Sequence, residues 1–212
     1  GQQPVSKDGK TFEPLEAYGL KVNSAGFLVD ENKPIIWRGP MVTQALNQLA
    51  FTTNWGELDY LVVDLPPGTG DAQLTLTQKV PLTGVVIVTT PQDIAVLDAR
   101  RGLKMFEKVE VRVLGVVENM SMHICKACGH EEALFGAGGG ERLVKETGVD
   151  LLGQIPLDAD IQREADGGAP TVVSDPDGAV AGHYLAMARR VATQLAAAPR
   201  DLRGAFGKIV VE

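Results

Sequence analysis

The sequence predicts an α/β protein with a mostly parallel sheet and helices on both faces. Short, nearly continuous apolar runs recur along it: DYLVVD (residues 59–64), GVVIVTT (84–90), VRVLGVVEN (111–119) and DLLGQIP (150–156). Such runs suit strands buried on both faces. Segments with helical spacing alternate with them, and turns rich in Pro or Gly punctuate the series. Strand–helix alternation of this kind is met by crossover connections in a parallel sheet.

Taken in order, residues 19–29 alternate loosely and read as a strand behind a polar lead-in. A turn at 31–34 follows. Residues 40–51 have helical spacing, with Met41, Ala45, Leu46 and Leu49 on one face. DYLVVD is the next strand, and the Pro/Gly-rich loop LPPGTGD leaves it. After the strand at 84–90, an amphipathic helix is expected over 94–108 with Asp93 as N-cap. The strand at 111–119 leads into a Cys-x-x-Cys loop. Gly138, Gly139 and Gly140 open a helix reaching about Thr147. The strand at 150–156 precedes a helix starting near Asp158, and an Ala-rich helix over 176–198 closes the chain. One domain over 1–198 and a tail over 199–212 are expected.

Composition narrows the function. Lys and Arg total 20 against 27 Asp and Glu, a formal net charge of −7. That lacks the electrostatic footprint of a nucleic-acid binder. Arg100, Arg101 and Lys104 form the one basic cluster, read as a solvated helix face. No apolar run is long enough to span a bilayer. The first ten residues have no apolar core of a signal peptide, so neither a membrane nor a nucleic-acid partner is expected. Two cysteines make no disulfide framework and point to metal or redox chemistry.

In a parallel sheet ligands gather at the carboxyl ends of the strands, which here are the loops after Asp64, Thr90, Asn119 and Pro156. An acid ending a buried strand, such as Asp64, suits Mg²⁺ in nucleotide hydrolases. Gly68 and Gly70 would let backbone approach a phosphate, and Asp71 adds a second carboxylate. Cys125 and Cys128 could grip one soft metal ion or one cluster edge, but two more ligands are needed. His123 and His130 could complete a zinc site within the chain. A thioredoxin-like redox pair and bystander thiols are the other readings.

WRGPM (37–41), WGELDYLVVDLPPGTGD (55–71), TPQD (90–93), ENMS (118–121) and IPLD (155–158) occur in that order. Together they resemble the Mrp/ApbC family of iron–sulfur cluster carriers, relatives of the MinD/ParA P-loop ATPases. The likeness runs from about Gly19 to Val173, and the Cys-x-x-Cys and WRGP strings separate it from the cell-division and partition relatives. The resemblance implies that Asp64 is the acid near Mg²⁺ and that Gly68 lies near the γ-phosphate. It implies that Asn119 contacts adenine, and that Pro156 and Asp158 line the base. It further implies a homodimer in which Cys125 and Cys128 of each copy share one [4Fe-4S] cluster, with Zn²⁺ as a substitute. Apo iron–sulfur proteins and a cluster-assembly scaffold would be the partners, and the cytoplasm the location, with the mitochondrial matrix as alternative. A MinD/ParA-type positioning ATPase and a zinc-bridged structural dimer are the competing functions.

The family's phosphate-binding loop is not found. Gly9-Lys10-Thr11 has no glycine cluster or apolar strand before it, and GAGGGE (136–141) has no lysine. The first strand–helix–strand unit is therefore expected to be missing, and the chain to bind ATP weakly or not at all and hydrolyse it negligibly. Equilibrium binding checks this, and a micromolar ATP affinity of this polypeptide would contradict it.

Overall fold

The computed structural model describes residues 3–27, 39–65 and 70–197. The tail expected over 199–212 lies outside them, as do Trp37 and Arg38 of the WRGPM string. The chain parts into two compact units, Gly1–Pro81 and Leu82–Glu212.

In the first unit, the strand expected over 19–29 is met only by the three residues 20–22, with a 3-10 turn after them, and residues 28 and 29 lie outside the described residues. Strands β1 (Leu15–Ala17) and β2 (Leu20–Val22) make an antiparallel hairpin, with Ala17 opposite Leu20. Tyr18 and Gly19 turn it with φ of 53° and 76°, the two left-handed residues that a tight hairpin turn needs. A 3-10 turn over Ala25–Phe27 follows. Helix α1 (Gly39–Phe51) falls where its spacing put it. Its end is held by the Trp55 indole N–H, which donates to the Leu49 carbonyl at 3.2 Å. Helix α2 (Asp71–Lys79) is not apparent from the sequence, because DAQLTLTQK has only three apolar residues, Ala72, Leu74 and Leu76, and so no clear apolar stripe. It packs on α1, with Lys79 donating to Asn47 at 3.0 Å.

DYLVVD is the main departure in this unit. Residues 59–64 form no strand, and Val62 is 90% exposed. Apolar composition suits a strand but does not make one, since each N–H and C=O needs a neighbour's. Among the described residues no strand pairs with this run.

The second unit holds a three-stranded parallel sheet in the order β3 (Val85–Thr89), β4 (Val113–Glu118), β7 (Leu151–Gln154). Helices α3 (Asp93–Lys108) and α4 (Gly139–Thr147) join these strands in βαβ fashion and pack on each other. Gln92, not Asp93, stands at the α3 N-cap, and Asp93 instead pairs with Arg142 at 2.8 Å. Asp158 caps α5 (Ala159–Asp166), a short α6 (Thr171–Ser174) follows, and α7 (Ala179–Ala196) closes the unit. Among the described residues no helix is long and apolar enough to cross a membrane.

The two faces of the sheet can be read from adjacent residues of β4, which point to opposite sides. Val117 joins Leu114, Leu152 and Ile155 in a buried cluster covered by Tyr184, Met187 and Val191 of α7. Glu118 instead reaches α4, where its carboxylate accepts the Gly140 N–H at 2.6 Å. Helices therefore cover both faces. Gly139 allows the close approach of α4, because a Cβ there would sit 2.7 Å from the Pro91 carbonyl oxygen.

Glu118 is only 1% exposed, and its second oxygen accepts the Gln154 side-chain N–H at 3.0 Å. Glu118→Ala strands both donors and is expected to cost about 2–4 kcal/mol, read by urea unfolding. Glu118→Gln, which keeps an acceptor, should cost less.

Candidate functional site

Pairing between the chain after β4 and the chain after β7 continues beyond the sheet. The Ile155 N–H donates to the Glu118 carbonyl at 2.9 Å, Ser121 N–H to the Ile155 carbonyl at 2.9 Å, and Leu157 N–H to the Met122 carbonyl at 2.9 Å. Met120, at φ 56°, bends the strand-end segment so that this pairing resumes after the turn. His123 Nδ1 lies 3.1 Å from the Leu157 carbonyl, which accepts from it.

The cysteine loop grows from this base as a small antiparallel hairpin, β5 (His123–Ile124) with β6 (Glu131–Glu132). The Cys125 N–H donates to the His130 carbonyl at 2.9 Å, and Gly129 N–H returns to the Cys125 carbonyl at 2.8 Å. Gly129 supplies the left-handed φ of 71° that folds the chain back. Cys125 is half-buried, Cys128 is exposed, and both are free thiols. The backbone N–H groups of Ala127 and Cys128 hold the Cys125 thiol below its ordinary value, with a further contribution from the Cys128 side chain. Among the described residues no three of His, Cys, Asp and Glu converge as a metal site. The single-chain zinc site with His123 and His130 therefore does not assemble. The chain offers two free thiols on an open turn.

Lys126, between the cysteines, was not singled out in the sequence. Its ammonium donates to Asp158 at 2.9 Å and also to Asp160. Asp158 in addition accepts the Asp160 N–H at 2.8 Å as the α5 N-cap. The expected base-lining residue is thus also a helix cap and a lysine partner. Asn119 makes a turn contact, its side-chain oxygen accepting the Met120 N–H at 2.9 Å. Its own N–H donates to the Thr89 carbonyl at 2.8 Å, which keeps the ends of β3 and β4 together. Pro156 is half-buried beside this pairing.

The expected phosphate-side residues fall in the first unit. Asp64 is exposed, Asp71 begins α2, and Gly68 lies outside the described residues. In both glycine strings of the sequence, some amides already have partners within the protein. Asp8 accepts the N–H groups of Thr11 at 2.7 Å and Lys10 at 2.8 Å, which hold its carboxyl near a pKa of about 2. At the start of α4, Gly140 already serves Glu118.

An α/β fold of the nucleotide-binding type, carrying a paired-thiol turn at its strand ends, defines the class. A family model described as ParA, NUBPL iron-transfer P-loop NTPase, matches residues 1–192. The chain belongs to this family. It is 56% identical over 188 residues to the iron-sulfur cluster carrier protein of Pseudomonas fragi, covering 89% of this chain and 66% of that protein. It thus spans under two thirds of that relative's length. Among solved structures, a nucleotide-binding protein in complex with ADP from Archaeoglobus fulgidus aligns with a TM-score of 0.66 at 33% identity, over 83% of this chain and 67% of that one. The cell-division ATPase MinD of Pyrococcus furiosus aligns with a TM-score of 0.54 at 18% identity, over 74% of this chain and 59% of that one, a likeness of fold alone.

The lowered Cys125 value gives a pH prediction. Thiolate stabilisation is present above the unfolded value and is lost as pH falls through the folded one. The iodoacetamide rate at Cys125, followed by peptide mass spectrometry, should have its midpoint below the about 8.5 of an ordinary thiol. A midpoint at or above that value would contradict the geometry.

Proposed function

We propose that this chain serves a cytoplasmic carrier whose cargo is a [4Fe-4S] cluster. Two copies hold the cluster through Cys125 and Cys128 of each. They receive it from a cluster-assembly scaffold and release it to apo iron–sulfur proteins. In the complete protein, ATP with Mg²⁺ governs loading or release, with Asp64, Gly68 and Asp71 on the phosphate side and Asn119, Pro156 and Asp158 on the base side.

One observation carries the reading: two free thiols sit on an open hairpin turn, and no third donor of the same chain joins them among the described residues. Four thiolates complete a cluster's coordination, so a second copy related by a two-fold axis supplies what one copy lacks. Met120, Ile124, Leu134 and Phe135 leave apolar surface exposed on the hairpin and its flanks. Such surface next to the thiols suits an interface between copies. The name carried by the Pseudomonas fragi relative, an iron-sulfur cluster carrier protein, supports an iron–sulfur cargo.

Anaerobic loading with iron and sulfide tests the proposal. The expected product is a dimer with about four iron atoms and a broad band near about 400 nm. Replacing both cysteines with serine should abolish the band and iron-dependent self-association. Stoichiometric zinc without iron uptake would overturn the proposal in favour of a zinc-bridged structural dimer.

A further inference from the structure

The cysteine hairpin is too small to hold its own position. Its strands have two residues each, and an isolated two-stranded hairpin is marginal in water. Its base is fixed by the backbone pairing to residues 155–157, but that pairing stops before the turn that carries the thiols. Beyond it, one side chain of the turn reaches back to the body of the unit. Lys126, whose side chain is 61% exposed, bonds to both Asp158 and Asp160. These carboxylates sit at the N-cap and in the first turn of α5, where the helix dipole favours negative charge. Arg163 pairs with Asp160 from the next turn at 2.5 Å, and Ile161 anchors α5 against the buried cluster of Leu114, Val117, Leu152 and Ile155.

We infer that Lys126 is a positioning residue, a charged clamp that ties the thiol-bearing turn to the start of α5 and so fixes where Cys125 and Cys128 are presented. The ammonium is drawn toward the two carboxylates. Position of the turn then depends on the 155–160 segment, and a ligand that shifts this segment shifts the thiols with it. The inference deepens the carrier reading and rests on it for its functional consequence, but the clamp itself can be measured without any metal.

The test compares the metal-free full chain with Lys126→Ala and with the charge-keeping variant Lys126→Arg. Amide hydrogen exchange over residues 124–131 and the iodoacetamide rates of both cysteines are read for each. Lys126→Ala should raise both by about threefold to fivefold, as loss of a small surface ion network would. Lys126→Arg should keep them near wild type. Raising the salt to about 0.5 M should speed exchange in the wild type and leave Lys126→Ala unchanged, because screening acts only where the charges are paired. Unchanged exchange in Lys126→Ala, or a rise that Lys126→Arg shares and salt does not track, would overturn the clamp. After iron loading, Lys126→Ala should still bind the cluster but lose it to a chelator several-fold faster, and an equal rate would also count against it. Failure of the double serine variant to affect iron loading would sink the carrier reading while leaving the metal-free result intact.

Discussion

The structure of the second unit depends on pairing between β4 and β7 that continues past the sheet. Within the sheet this pairing forms a buried ladder, with Val116 and Val117 at its centre. Beyond the sheet the same two chains stay bonded through Ser121, Ile155, Met122 and Leu157. The cysteine hairpin is rooted in this extension. A parallel ladder is stable only when both its strands are covered, which α4 and α7 achieve from opposite faces. The thiol turn is thus rooted in a buried, hydrogen-bonded ladder, although it is itself a loop.

At the strand ends the polar groups are largely occupied by the protein. Glu118 is buried against the α4 N-terminus, Asn119 closes its own turn, and Asp158 caps α5 while holding Lys126. A carboxylate at a helix start satisfies amides that would otherwise be unpaired. The cysteines differ from this pattern. Backbone N–H groups lower the Cys125 thiol without enclosing it, and Cys128 stands in the open. That combination, activated and accessible, is what exchange of a soft metal cargo requires.

The first unit is built differently. Among its described residues Leu76 is the buried apolar side chain, whereas β3, β4, β7, α3 and α4 of the second unit supply a continuous core. Tyr60, Leu61, Val62 and Val63 have the composition of a core strand and are exposed. The difference lies in pairing: GVVIVTT finds β4 alongside it, while residues 59–64 have no strand bonded to them among the described residues.

Much was legible in the sequence. The runs that became β3, β4 and β7 show their strand character in their apolar composition, although Val88 of β3 is exposed, and the glycines before α4 and Asp158 before α5 mark helix starts by their local chemistry. The cysteine pair was equally plain, because two thiols so closely spaced have few other uses. Local pattern could not reveal what depends on partners far along the chain. The β1–β2 hairpin, the unpaired state of residues 59–64, the buried role of Glu118 and the bond from Lys126 to the start of α5 are of this kind. Each is decided by which groups the fold brings within hydrogen-bonding reach, and for Lys126 and Asp160 those groups lie 34 residues apart. The sequence by itself set the composition of the strands and the identity of the thiols. Tertiary structure decided which strands were paired and how the thiols were held, since hydrogen bonds and ion pairs exist only where a partner is in place.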